Sequence, residues 1–129
     1  MNKLIAANGI DLMVVGVGMN GHIGFNEPGT DLDSLAHIAL LDETTKTVGQ
    51  KYFSGKVSIN QGITVGLKQV MQAEKLLMMA NGKMKAPVIK RAVEEIVSTE
   101  FPASLAHKHK NGFLMIDDEA ASELKTDIR

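Results

Sequence analysis

Four side chains that can move, hold or orient a proton crowd into one short stretch: Asn20, His22, Asn26 and Glu27. Histidine is the residue whose ordinary pKa permits proton traffic near neutrality, and an amide or carboxylate beside it fixes which ring nitrogen carries the hydrogen. A histidine and a glutamate in one loop therefore suit general acid/base work. The same residues also suit a plainer role, in which His22 caps a turn and Asn26 and Glu27 lead into the Pro28-Gly29 turn. Spacing alone does not choose between the two.

The loop that carries them opens as Gly16-Val17-Gly18-Met19-Asn20-Gly21, directly after the apolar run Leu12-Met13-Val14-Val15. These letters spell the dinucleotide-binding fingerprint, and Asp42 stands about 20 residues further on, where a ribose-binding acid belongs. That fingerprint works only if its third glycine opens a helix whose N-terminus holds a pyrophosphate. Here Gly24, Pro28 and Gly29 fall where the helix would run, and no helix of useful length fits. The loop is expected to place side chains rather than cradle a nucleotide.

The elements around it follow from hydrophobic periodicity. Leu12–Val15, closed by glycine, reads as a strand buried on both faces. Similar runs recur at Ile38–Leu41, Leu76–Ala80 and Phe113–Ile116. Helical stretches lie between them at Thr44–Phe53, Thr64–Ala73 and Lys83–Val97, the last with Ile89, Ala92, Val93, Ile96 and Val97 on one stripe. Strand and helix alternate, which predicts an α/β protein: a mainly parallel sheet flanked by helices, Rossmann-like and three-layered. The glycines from Gly16 to Gly29 then form one long irregular loop at a strand's C-terminal end, where such folds put their sites.

The run Gly18-Met-Asn-Gly21-His22-Ile-Gly24-Phe25-Asn26-Glu27-Pro28 resembles the active-site signature of the glucosamine-6-phosphate deaminase family, which includes galactosamine-6-phosphate isomerases. Three further segments resemble family motifs in the same order: Ile63-Thr64-Val65-Gly66, Gly82-Lys-Met-Lys85-Ala86 and the acidic turn Asp118-Glu119-Ala120-Ala121. The resemblance spans essentially all 129 residues but only the C-terminal half of a family protein. It implies half of a larger doubly wound domain, without the N-terminal phosphate loop and the Asp-Glu-Tyr segment that supplies the family's base at sugar carbon 2. Such a half sheet is expected to expose an unpaired strand edge and a bare packing face. The chain is then expected to form a homo-oligomer or to need the missing half.

By the same resemblance, His22 is the acid/base that opens the sugar ring, and Glu27 and Asn20 orient and polarise it. Asparagine at position 20 departs from the aspartate of many members: it still accepts the imidazole N–H but brings no charge. Gly82 and Lys85 are implied to hold the substrate phosphate at the start of the lysine-bearing helix, where the dipole favours an anion. Lys51 falls where many members use arginine, and it keeps the charge without the two-pronged geometry. The family uses no catalytic metal and no cofactor.

Composition agrees with an ordinary soluble globular domain. Fourteen Lys+Arg against 15 Asp+Glu give a net charge of −1, which offers no basic surface for nucleic acid or an anionic membrane. The 44% hydrophobic content is too high for a disordered tail, and no apolar run approaches the roughly 20 residues of a membrane span. The chain has no cysteine, so it has no disulfide framework or zinc–thiolate site, and a cytoplasmic address is expected. His107 and His109, set among lysines, read as a solvated loop, and Met71, Met78, Met79 and Met84 as core filler. Competing functions are the related 6-phosphogluconolactonase, a phosphosugar-sensing module and a non-catalytic remnant. The lactonase loop departs from Ile-Gly-Phe-Asn-Glu-Pro after the histidine, which favours the deaminase side.

Overall fold

The computed structural model describes residues 1–125; the sequence-based assignment of 1–129 to a single domain extends beyond them. In chain order the elements are α1 (Asn2–Asn8), β1 (Leu12–Gly16), β2 (His37–Leu40), α2 (Glu43–Gly49), β3 (Gln61–Thr64), α3 (Leu67–Gln72), β4 (Lys75–Ala80), α4 (Ala86–Glu94), β5 (Gly112–Ile116) and α5 (Asp118–Ala121). Tight 3-10 turns occupy Gln50–Tyr52, Lys83–Lys85 and Pro102–Lys108.

Strands β1, β4 and β5 form a parallel sheet in the order β1-β4-β5, with Val15 beside Met78 and Met78 beside Leu114. This is the expected mainly parallel sheet flanked by helices. The core lies on the face that carries Leu76 and Met78. Leu67 and Val70 of α3, Val88, Ile89 and Ala92 of α4, and Ala103 and Leu105 of the last 3-10 turn complete it. Burial of that apolar stripe, rather than helix propensity, holds α4 in place, because a nine-residue helix is marginal in water by itself.

Several expectations are corrected. Ile38–Leu41 does not join the parallel sheet: β2 pairs antiparallel with β3, Ile38 opposite Ile63. The segment Thr64–Ala73 is not helical from its start, since Gln61–Thr64 is strand β3 and the helix begins at Leu67, past Gly66. A Cβ at Gly66 would overlap the carbonyls of Ser34 and Leu35, so only glycine lets the chain turn there. The helix expected over Lys83–Val97 starts as a 3-10 turn and stops at Glu94, leaving Ile96 outside it and 90% exposed.

Strand β1 is not buried on both faces. Leu12 and Val14 project onto the same side of the sheet as Met79, Phe113 and Met115, and all five are exposed. Parallel sheets are ordinarily covered on both sides. An exposed apolar face of this kind, with β1 and β5 both at sheet edges, is the sort of surface that favours association. Sedimentation velocity on the purified chain is expected to show concentration-dependent association. Pairing Phe113→Lys with Met115→Lys should weaken that association without loss of helical circular dichroism. A wild-type chain that stays monomeric across the whole micromolar range contradicts this.

Candidate active site

The stretch after β1 is a set of turns rather than an irregular loop. Val17 and Asn26 each bridge to Ile23, the Gly18 N–H donates to the His22 carbonyl at 2.9 Å, and Gly21 turns at φ 84°. No helix follows Gly21, as the glycines and proline foretold. The Phe101 ring packs on Gly21, where a Cβ would strike it, and the Ala103 N–H donates to the Gly21 carbonyl at 2.8 Å. Further along, the Phe25 N–H donates to Thr64 Oγ1 at 3.0 Å. Asn26 is fully buried and donates to the Ile23 and Val65 carbonyls at 3.0 and 2.8 Å. Asn26 is therefore a clamp that joins the loop to the end of β3, and it does not line the cleft described below.

The structure brings Asn20, His22 and Glu27 into one hydrogen-bonded row. Asn20 Nδ2 donates to Glu27 Oε2 at 2.7 Å, and Asn20 Oδ1 lies 2.7 Å from His22 Nδ1. An ionised carboxylate only accepts, so the amide nitrogen must face Glu27 and the amide oxygen must face the imidazole. The hydrogen then sits on Nδ1, and Nε2 keeps the lone pair. Glu27 Oε2 also lies 3.5 Å from Nδ1. Gly18 passes beneath the ring so closely that a Cβ there would overlap it.

Burial pushes the His22 pKa below its ordinary value and the charge of Lys85 pushes the same way, while the carboxylates of Glu27 and Asp42 oppose them. The net direction is downward, so the imidazole is neutral at pH 7 and Nε2 is available as a base.

His22 lines a cleft of about 600 Å³ at the C-terminal end of β1, together with Gly16, Thr45, Lys51, Tyr52 and Lys85. Ligands in α/β sheets ordinarily bind outside the carboxyl ends of the strands. Lys85 reaches back to donate to the Val17 carbonyl. Its pKa is lowered by burial and then by Lys51. Lys46, Lys68 and Arg91 all have carboxylate partners, whereas Lys51 and Lys85 face the same space and make no ion pair among the described residues. Two cations without a counter-charge in one cleft favour an anion.

Gly82 is not brought into this cleft. Its N–H is also not free, because both oxygens of Asp117 accept it at 3.0 Å. Asp117 is the N-cap of α5, so this contact staples two turns together and leaves Lys85 as the cation at that end. Asp42, the acid of the nucleotide fingerprint, is instead the N-cap of α2, with its Oδ1 accepting the Thr45 N–H at 3.0 Å.

His109 is not solvated: only 7% of it is exposed, and Nδ1 accepts the Asn111 N–H at 3.1 Å. Among the methionines Met78 is buried, whereas Met79 and Met84 are exposed. No group of three acidic, cysteine or histidine side chains able to hold a metal ion exists among the described residues. No described helix is long and apolar enough to cross a membrane. Thr45, whose Oγ1 lies 3.1 Å from His22 Nδ1, was missed by sequence reasoning. The signal for it was the capping pattern Asp42-x-x-Thr45 at the end of an apolar run.

A loop that presents a neutral imidazole beside two lysines, at the strand ends of a parallel α/β sheet, makes a cleft suited to an anionic ligand. Residues 1–115 match the family model of glucosamine-6-phosphate isomerases/6-phosphogluconolactonase, and the chain belongs to that family. The Enterococcus faecalis protein named glucosamine-6-phosphate deaminase is 41% identical over 123 residues, covering 95% of this chain and 53% of that protein. A solved structure of a monomeric glucosamine-6-phosphate deaminase superposes with a TM-score of 0.89 at 35% identity, covering 95% of this chain and 52% of that one. The 6-phosphogluconolactonase of Trypanosoma cruzi shares the fold, with a TM-score of 0.70 at 15% identity over 92% of this chain and 42% of that one. The chain thus spans about half the length of the relatives it matches.

Two outcomes follow from this geometry. Replacing Asn20→Asp sets a carboxylate against Nδ1, and an opposite charge there favours the imidazolium. NMR titration of the ring should therefore show its pKa rise relative to wild type. For stability the sign is the reverse of a salt-bridged histidine. The unfolded chain, with its His22 near the ordinary value of 6.5, binds the proton more readily than the folded one. The contribution of His22 is thus fully present above 6.5 and is lost as pH falls toward the lower folded value. Urea melts between pH 7.5 and 5 should show His22→Gln losing less stability on acidification than wild type.

Proposed function

We propose that this chain supplies the ring-opening acid/base and the phosphate-holding cations of an aldose–ketose isomerase/deaminase. Its substrate is a hexosamine 6-phosphate, glucosamine 6-phosphate or its galactosamine epimer. The observation that supports this most directly is the shared cleft, in which His22, Lys51 and Lys85 line one space of about 600 Å³. A hexosamine 6-phosphate presents a dianion at one end and a hemiacetal at the other. Lys85 and Lys51 hold the first and His22 works on the second.

In ring opening, Nε2 takes the proton of the anomeric hydroxyl as the bond from carbon 1 to the ring oxygen breaks. The same proton is then delivered to that oxygen, so none is consumed. Glu27, through Asn20, keeps the hydrogen on Nδ1 throughout and attracts the transient imidazolium. A proton then moves from carbon 2 to carbon 1, and we assign the base for that step to the half of the relatives' length that this chain does not span. Because carbon 2 bears the amine, a proton also passes from that nitrogen to the oxygen on carbon 1, and the isomerised species is an imine, which water converts to ketose phosphate and ammonia. Catalysis is assigned to side chains alone, with no cofactor. The covering of the bare sheet face is assigned to that same complementing half or to a second copy of the chain. The setting is cytoplasmic, in keeping with a chain that has no cysteine and with relatives named as metabolic enzymes.

The test is ammonia release and ketose phosphate formation from each hexosamine 6-phosphate, with the chain alone and with an added N-terminal half from a relative. Turnover by the pair is expected, falling at least a hundredfold in His22→Gln, the range assigned to positioned acid/base groups. The exposed His107→Gln should match wild type. Lys85→Met should raise KM. A pair that binds the sugar phosphate yet releases neither product rules out the enzyme.

A further inference from the structure

His22 Nδ1 carries one hydrogen but has two oxygens at hydrogen-bond distance, Asn20 Oδ1 at 2.7 Å and Thr45 Oγ1 at 3.1 Å, with Glu27 Oε2 further off at 3.5 Å. Asn20 is enough to set the tautomer, so Thr45 is a surplus partner, and it comes from a different element, the first turn of α2. Its direction is fixed by the rest of the row. With the Asn20 oxygen facing Nδ1, a lone pair on that nitrogen would confront another lone pair at 2.7 Å. The hydrogen is therefore present, and Thr45 Oγ1 accepts a share of it. Thr45 is buried, and Asp42 anchors it from behind by accepting its backbone N–H at 3.0 Å.

We propose that Thr45 is a positioning residue for His22, and that Asp42 and Thr45 form a second arm on Nδ1 beside the arm made by Glu27 and Asn20. This rests on the reading of His22 as the acid/base. Each arm has the same build: a carboxylate fixes a neutral group, and the neutral group accepts from the imidazole. The Asp42 carboxyl is held below its usual range first by the Thr45 N–H, and also by the Asn20 amide, the Thr44 N–H and the Thr45 hydroxyl.

Three charged groups bear on the ring, and a fourth acts through one of them. Glu27 from the loop and Asp42 from the cap of α2 favour the imidazolium, whereas Lys85 opposes it and Lys51 acts on Lys85. Asp42 is exposed and its charge is screened, so its effect is the smaller of the two carboxylates. When Nε2 takes a proton, Nδ1–H becomes a charge-assisted donor and both acceptors hold it more strongly. An asparagine in the row brings no charge, and the second arm offsets that. The same segment that touches the imidazole through Thr45 carries Lys51 into the cleft one helix and one turn later. The phosphate grip and the orientation of the ring thus share one stretch of backbone.

The test uses nitrogen-15 NMR of the imidazole in the full chain, with the His22 signals assigned from His22→Gln. Thr45→Val keeps the side-chain volume and removes the acceptor; Thr45→Ser keeps the acceptor. Thr45→Val is expected to lower the His22 pKa and to shift the Nδ1–H resonance with the tautomer kept by Asn20, and Thr45→Ser is expected to restore both toward wild type. Asp42→Asn preserves the helix cap while removing the charge, and should lower the His22 pKa with α2 intact by circular dichroism; it decides the matter where Thr45→Val does not fold. Imidazole signals and pKa equal to wild type in these folded variants overturn the proposal. In the pair reconstituted with an N-terminal half, Thr45→Val should lower kcat roughly tenfold, the size of one net hydrogen bond, with KM little changed. If the wild-type pair shows no turnover, the acid/base reading fails while the spectra still decide whether Thr45 positions the ring.

Discussion

The site is organised by a one-way constraint: an ionised carboxylate accepts hydrogen bonds and donates none. Glu27, only 9% exposed, stands at the end of a row in which that rule fixes every later group. It turns the Asn20 amide, the amide fixes the hydrogen on His22 Nδ1, and the fixed hydrogen leaves Nε2 as the base. The backbone is shaped to hold this row together. Gly18 has no Cβ because the imidazole occupies that place, and Gly21 has none because Phe101 does. Two of the three glycines that spell a nucleotide motif are thus explained by aromatic rings packed against the chain.

Burial and charge pull His22 in opposite directions, and the balance suits a base. A fully solvated imidazole near its ordinary pKa is part-protonated at neutrality. The desolvation at His22, aided by Lys85, outweighs the attraction of Glu27 and Asp42 and keeps the ring neutral. The lysines carry a cost of their own, since Lys85 is depressed by burial and by Lys51. An anion between them would offset both penalties and also relieve the push that Lys85 exerts on His22. The two ends of the cleft are therefore electrostatically linked without touching.

The sequence made the sheet strands legible because Leu12–Val15, Leu76–Ala80 and Phe113–Ile116 are unbroken apolar runs. It made the His22 loop legible because its residues lie close along the chain. Strand β3 was hidden for the opposite reason. Gln61-Gly62-Ile63-Thr64 has no alternation to read and contains a strand-weakening glycine, and its extended form comes from pairing with β2, some 24 residues upstream. Gly62 is required there because the Phe25 ring fills the place of its side chain. Burial of His109 was equally unreadable: a histidine flanked by lysines looks solvated until the last 3-10 turn folds its ring inward. Gly82 shows the limit of motif reasoning, since nothing local to it announces that Asp117, 35 residues later, takes its N–H.

The open sheet face and the candidate site have different structural supports. Leu12, Val14, Met79, Phe113 and Met115 lie on the uncovered side of the sheet, where their exposure weakens the fold as a whole. The row from Glu27 to His22 is held instead by short-range contacts: Gly18 to His22, Asn26 to the end of β3, Ala103 to Gly21, and the cap of α2 beside Glu27. Those contacts join elements that already pack on the covered side, among them α3 and the 3-10 turn after Phe101. The imidazole's tautomer is therefore a local property of this half of the fold. What the uncovered side bears on is persistence of the sheet that anchors the row, because parallel sheets are ordinarily covered on both faces.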